Sequence, residues 1–168
     1  SDITITSITI PSSLKHIGAN AFWYKDELVD VYFKGNIDDW CSIFFANEEA
    51  NPLSNDASLY INNVEVVNLV IPSTVKKISD YAFFGCRELT TDLFFADALT
   101  EIGSYAFANA SSLPSVCFGS SLKTIGSAAF QNCIKFKSLI IPLSTEFIGK
   151  YAFENCTALN SVSVSDVD

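Results

Sequence analysis

Any catalytic chemistry in this sequence would have to start from one imidazole and five thiols. His16 is the single histidine, and the cysteines are Cys41, Cys86, Cys117, Cys133 and Cys156. An imidazole beside a thiol can generate a nucleophilic thiolate. Cys41 or Cys117 with His16 is therefore the pairing to consider, and residue type alone supports it. No CxxC or Cys/His spacing suggests zinc. No Gly-x-Ser-x-Gly elbow, phosphate loop or paired-carboxylate motif is present. The acids concentrate between Lys34 and Ile71, where Asp38, Asp39, Glu48, Glu49, Asp56 and Glu65 face one base, Lys34. They lack the Asp-x-Asp-x-Asp spacing of a calcium loop. The expectation is no enzyme, no metal and no cofactor.

The elements that would carry these residues follow from a repeat. Ile17–Phe22 (IGANAF), Ile78–Phe83 (ISDYAF), Ile102–Phe107 (IGSYAF), Ile125–Phe130 (IGSAAF) and Ile148–Phe153 (IGKYAF) are copies of one phrase. The last four Phe residues are 24, 23 and 23 positions apart. A period in the twenties is that of a solenoid, whose coils cannot bury their apolar faces alone. Each unit opens on a strand with period-2 alternation, as in Ile8, Ile10, Pro11 or Leu139, Ile141, Pro142. A second short strand ends at the Ile of Ile-Gly, and the glycine predicts positive φ there. The Ala-Phe-x-x-Cys stretch predicts one helical or 3₁₀ turn. Stacking predicts a buried ring ladder of Phe22, Phe83, Phe107, Phe130 and Phe153. The extra residue in Leu89-x-x-x-Leu93-x-Phe95 predicts a bulge. Cys86, Cys133 and Cys156 each follow a repeat Phe by three, where the third coil has Ala110. They are expected to be buried reduced thiols rather than a disulfide.

These columns resemble the BspA-like class of bacterial leucine-rich repeats. The family pattern is Leu-x-x-Ile-x-Ile-Pro, Ile-Gly-x-x-Ala-Phe and Cys-x-x-Leu, the last matched by Cys86–Leu89 and Cys156–Leu159. The resemblance implies an α/β repeat: a right-handed leucine-rich-repeat solenoid, β-rich with one-turn helices. It also implies a place at the cell surface or secreted, and a role in adhesion or macromolecular binding. One solenoid domain over 1–168 is expected, as a fragment of a longer protein, with a non-repeat insertion at about 35–65.

That insertion has its own pattern. Asn36 caps a predicted helix over Asn36–Phe45, with Asp38 and Asp39 in its first turn. Asn51–Ser58 reads as a loop, and Leu59–Val66 as a hairpin about Asn62-Asn63.

Composition narrows the partner. A net charge of −9 opposes sequence-independent nucleic-acid binding, and no apolar run reaches the ~18–20 residues of a membrane span. The middle residue of each leading strand should face away from the core. Thr9, Tyr32, Val70, Phe94, Cys117, Ile140 and Ser163 form that column, polar at both ends and apolar between. The apolar stripe, with Tyr32, Val70, Phe94, Cys117 and Ile140, is the expected binding surface for a protein or matrix ligand. Trp40, Asp38, Asp39, Glu48 and Glu49 of the insertion are expected to set partner preference. Two alternatives stand beside this reading. One is a carbohydrate-binding module stacking sugars on Tyr32, Phe94, Trp40 or Trp23. The other is a structural spacer.

Overall fold

Parallel pairing at a fixed register turns the repeat into stacked coils. The computed structural model describes residues 4–165, so the outermost three residues at each end of the expected 1–168 domain lie outside it. Strands, numbered in chain order, fall into two columns. The leading column holds β1 (Ser7–Ile10), β3 (Asp30–Phe33) and β5 (Ser58–Ile61). It continues with β8 (Leu93–Phe94) and β10 (Val116–Cys117), then β12 (Ser138–Pro142) and β14 (Ser161–Ser165). The second column pairs β2 (His16–Ile17) with β4 (Phe44–Phe45). Further on it forms a four-stranded sheet of β7 (Lys77–Ile78), β9 (Glu101–Ile102), β11 (Thr124–Ile125) and β13 (Phe147–Ile148). Repeat equivalents are direct partners, such as Val116 with Leu93 and Ile125 with Ile102. No helix among the described residues is long and apolar enough to cross a membrane.

The core is a set of ring stacks. Phe83, Phe107, Phe130 and Phe153 stack in order, with centroids 5.2, 5.3 and 5.6 Å apart. A second stack, Phe95 on Phe118 at 5.7 Å, packs edge-on against it. Phe22 does not join the ladder. Its amide donates to Glu49 O, where its equivalents donate to the Ala before the next Phe. Ala50 therefore fills the column position between Phe22 and Phe83.

Two details of the coil differ from expectation. The Ala-Phe stretches are turns, not helices, because each contains two left-handed residues. Tyr81, Tyr105, Ala128 and Tyr151 have φ of 61, 57, 54 and 63°. Gly85, Asn109, Asn132 and Asn155, two residues after each Phe, have φ of 74, 63, 61 and 58°. Asparagine tolerates this region better than most residues. Here it also makes a ladder, since Asn132 Nδ2 donates to Asn109 Oδ1 at 2.7 Å and Asn155 Nδ2 to Asn132 Oδ1 at 2.9 Å.

The Ile-Gly glycines, in turn, are not at positive φ. They are required by close approach of the preceding coil. A Cβ on Gly126 would stand 2.5 Å from the Gly103 carbonyl carbon, whereas one on Gly18 would meet nothing within 4 Å. Gly126→Ala is accordingly expected to cost about 1–3 kcal/mol through forced backbone displacement, and Gly18→Ala to stay within ~0.5 kcal/mol of the parent. Paired thermal melts check both.

The non-repeating segment proves to be a coil of its own. β5 pairs with β3 in the parallel register of its neighbours, and β4 with β2. Between them lie α1 (Ile37–Cys41) and two short 3₁₀ segments, Glu48–Ala50 and Pro52–Asn55. The helix is half its predicted length. Its capping box is present, Asn36 Oδ1 accepting from the Asp39 amide at 2.8 Å and the Asp39 carboxylate from the Asn36 amide at 3.4 Å. Ser42 ends it, and Phe44 and Phe45 turn to strand pairing. The Asn62-Asn63 hairpin forms with both residues left-handed, φ 51 and 65°, and β6 (Val64–Glu65) runs antiparallel to β5. This coil interrupts both ladders. Ser79, which replaces the glycine, donates its amide to Cys41 O, while Gly103, Gly126 and Gly149 donate to the Ile of the coil before. Side chains bridge the interruption. Trp40 Nε1 donates to Ala82 O at 2.8 Å, and Asn51 Nδ2 donates to Tyr81 O at 2.5 Å and Ala82 O at 3.2 Å.

Burial also settles the thiols. Cys41, Cys86, Cys133 and Cys156 are buried and free, and Cys117 is exposed and free. Cys133 and Cys156 donate to the carbonyls of Phe107 and Phe130 at 3.3 and 3.2 Å. Burial, aided by Asp38, pushes the Cys41 thiol up to about 12, and burial, aided by Glu88, does the same for Cys86. In the native state one equivalent of Ellman's reagent is expected to react, at Cys117, with the rest reacting only after unfolding. These raised values also make stability fully present below the ordinary thiol pKa of ~8.5 and progressively lost as pH rises toward 12. Melts at pH 7 and pH 10.5 read this loss.

Candidate binding face

Two rows of side chains form the outer face of the leading column. Along the first row stand Ser7, Asp30, Ser58, Asn68, Asp92, Ser115, Ser138 and Ser161, with neither lysine nor arginine. Along the second stand Thr9, Tyr32, Tyr60, Val70, Phe94, Cys117, Ile140 and Ser163. Strand pairing places Thr9, Tyr32 and Tyr60 side by side, then Phe94 with Cys117, and Ile140 with Ser163. The coil 37–61 does not fold over this row. Val70 is 68% exposed, Phe94 65% and Ile140 45%, and Cys117 is exposed. Tyr32 is half-buried because Tyr60 stacks on it at 4.8 Å. Sequence reasoning omitted Tyr60, since an apparent break in period hid the strand that carries it. Its register signal was the Leu-Tyr-Ile alternation of Leu59–Ile61.

A cleft of about 430 Å³ lies where this row is broken, lined by Asn68, Leu69, Val70, Thr91, Asp92 and Phe94. Leu89 and Leu93 are both buried, and three exposed residues, Thr90, Thr91 and Asp92, separate them. The following coil spaces Leu113 and Val116 with two. The extra residue is thus accommodated ahead of β8, and β8 pairs with β10 in undisturbed register. A shallower groove of about 200 Å³, lined by Ile37, Ile61 and residues 64–66 and 68–70, adjoins it. The two share Asn68, Leu69 and Val70.

The insertion residues divide. Trp40 is fully buried, edge-on to Phe33 at 5.3 Å. The expectation that it contacts a ligand is therefore corrected: its indole N–H is committed to Ala82 O and its ring to the core. Asp38 and Asp39 lie on α1, at the corner between the two strand columns. Asp38 accepts from Thr74 Oγ1, and Asp39 from Lys15 Nζ at 3.4 Å. Glu48 and Glu49 lie at the opposite corner beyond β4, where burial and the neighbouring Glu49 push the Glu48 carboxyl up. The structure does not gather the four carboxylates into one patch with the apolar row.

The thiol–imidazole pairing has no geometric support. His16 is exposed in the second column with its ring on Phe44 at 4.7 Å, while Cys41 is buried and Cys117 belongs to the leading column. No cluster of three or more His, Cys, Asp or Glu residues suited to a metal occurs among the described residues.

Stacked parallel coils with a strand-lined face and one repeated Ile-Gly-x-x-Ala-Phe turn define a leucine-rich-repeat solenoid. The chain belongs to the BspA-type leucine-rich repeat family, whose model matches residues 1–59 and 56–167 in six copies. Solved structures share the fold at low identity. A leucine-rich cell surface protein of Faecalibacterium prausnitzii matches 97% of this chain and 60% of its own, with TM-score 0.56 and 18% identity. The pneumococcal vaccine antigen PcpA matches 96% and 51%, with TM-score 0.56 and 18% identity. A leucine-rich repeat protein of Bacteroides ovatus matches 93% and 45%, with TM-score 0.55 and 22% identity. This chain thus spans about half the length of these relatives. No curated protein matches the sequence.

Proposed function

We propose that this chain is a non-enzymatic binding module of a bacterial surface protein, taking a protein or extracellular-matrix ligand on the leading strand face. One observation carries the reading: Val70, Phe94 and Ile140 stand exposed in a row, and a cleft opens between the first two. Uncovered apolar side chains in contiguous array supply the core of an interface, and the polar ends of the row supply its rim. Membership of a family with cell-surface relatives supports the location at the cell exterior. A carbohydrate reading has a separate observation in its favour, the Trp23–Tyr24 pair, exposed and stacked at 4.6 Å.

Binding of the chain to immobilised matrix proteins and to a glycan array distinguishes them. A matrix or protein ligand is expected to lose affinity by roughly tenfold or more in the Val70→Ser, Phe94→Ser double variant, with the melting temperature held. Unchanged affinity in that variant moves the site elsewhere. Binding to glycans alone, abolished by Trp23→Ser, replaces the protein reading with the carbohydrate one.

A further inference from the structure

We infer that the occupant of the cleft is an extended peptide segment that presents both apolar residues and lysine or arginine on one face, at every second position. The inference rests on the leading face being the binding face, and adds the chemistry of its partner. Three independent features converge on it.

The first is open backbone. Residues 68–71 lie between β6 and β8 in the chain and make no backbone pairing with either neighbouring coil, although Thr91 Oγ1 donates to Asn68 Oδ1 at 3.1 Å. Among the described residues, no backbone hydrogen bond involves Asn68, Leu69, Val70 or Ile71. The sheet stops at β6 on one side and restarts at β8 on the other. Exposed backbone donors and acceptors at a sheet edge are what an added strand pairs with.

The second is the apolar lining of the same opening. Val70 and Phe94 project outward across it, and Ile37, Ile61 and Val64 line the adjoining groove. Alternate residues of an extended peptide would meet this lining, since side chains of a strand repeat every second position.

The third is charge. Asp92 lines the cleft and Glu65 the adjoining groove. Asp92 Oδ1 accepts from Ser115 Oγ at 2.6 Å, which fixes the carboxylate beside the apolar row. Lys34, directly after β3, is turned to Asn63 Oδ1 at the hairpin tip at 3.1 Å. The row that includes Asp30 and Asp92 carries no cation, so the side chains of an added strand two positions from the apolar ones, on the same face, meet only carboxylates, an amide and hydroxyls. An acidic or neutral peptide would leave these unmatched, and a basic one complements them.

The probe is a blocked ten-residue peptide with lysine and then valine or phenylalanine in turn at every second position and threonine between them, titrated by fluorescence polarisation. Three control peptides accompany it: one with glutamate for lysine, one N-methylated at alternate amides, and a lysine homopolymer. The lysine peptide is expected to bind, and all three controls to bind at least tenfold more weakly. Asp92→Asn with Glu65→Gln is expected to weaken binding roughly threefold to tenfold, the scale of two exposed ion pairs. Glu48→Gln with Glu49→Gln removes equal charge at another corner and is expected to change nothing. Equal loss in both variants, or equal binding of the N-methylated peptide or the homopolymer, reduces the interaction to net charge and overturns the inference. Absence of peptide binding also overturns it. A matrix ligand lost in Val70→Ser, Phe94→Ser would in that case still leave the face itself standing, so the two readings fail separately.

Discussion

Phe130→Ala is expected to lower stability by about 3–5 kcal/mol, the range for removing a fully buried aromatic ring. The ring is wholly buried and touches four others: Phe107 at 5.3 Å, Phe118 at 5.9 Å, Phe136 at 6.1 Å and Phe153 at 5.6 Å. Neighbours on both sides are held by backbone ladders, so collapse onto the cavity is restricted and the cost should lie high in that range. Because each coil contacts only the next, amide exchange should accelerate most in the coils carrying Phe107 and Phe153. The coil carrying Trp40 should be spared. Chemical denaturation with Lys123→Ala as an exposed control measures the total. A midpoint shift no larger than the control's would show that the ring ladder contributes little.

Trp40 is the second site of large effect, and for a different reason. At every other described junction following Phe22, the carbonyl before the repeat Phe, or its equivalent Glu49, accepts an amide from the coil before. At Ala82 that amide is missing, because the Ala50 amide turns inward to Asn47 O. The indole and the Asn51 carboxamide replace it. Trp40→Ala should therefore cost about 3–5 kcal/mol from lost packing, and it should loosen the junction between residues 37–61 and the coil that follows. Trp40→Phe keeps most of the packing and loses one hydrogen bond, an expected cost of about 0.5–1.5 kcal/mol beyond the volume change. Limited proteolysis between residues 62 and 75 would report the loosening. Resistance equal to the parent in Trp40→Ala would assign the junction to backbone contacts alone.

Trp40 also shows why a ligand-binding role could be assigned to it from sequence. A tryptophan on a short helix amid acids has the composition of a docking surface. Only the coil's stacking reveals that Trp40 and Cys41 face inward. The acids at Asp38, Asp39, Glu48 and Glu49 are neighbours along the chain but occupy two corners of the coil, a separation that spacing does not record. The left-handed positions were misplaced for a related reason. Glycine at Ile-Gly suggested positive φ, whereas its hydrogen side chain is needed for contact with a coil 23 residues earlier.

Periodicity by itself determined the stacked solenoid, the ring ladder from Phe83 to Phe153, the outward row from Tyr32 to Ile140, and the buried thiols. These follow from local pattern repeated at fixed spacing, because a column in a solenoid is one sequence position copied. The tertiary structure alone decided that residues 37–61 are a coil in register, that Tyr60 joins the outward row, and that Phe22 is separated from the other rings by Ala50. It also decided that the ladder breaks at residues 68–71 and leaves a cleft beside Asp92. Such features depend on how one irregular coil meets regular neighbours. That fit is governed by hydrogen bonds and packing between residues far apart in the chain, which no period encodes.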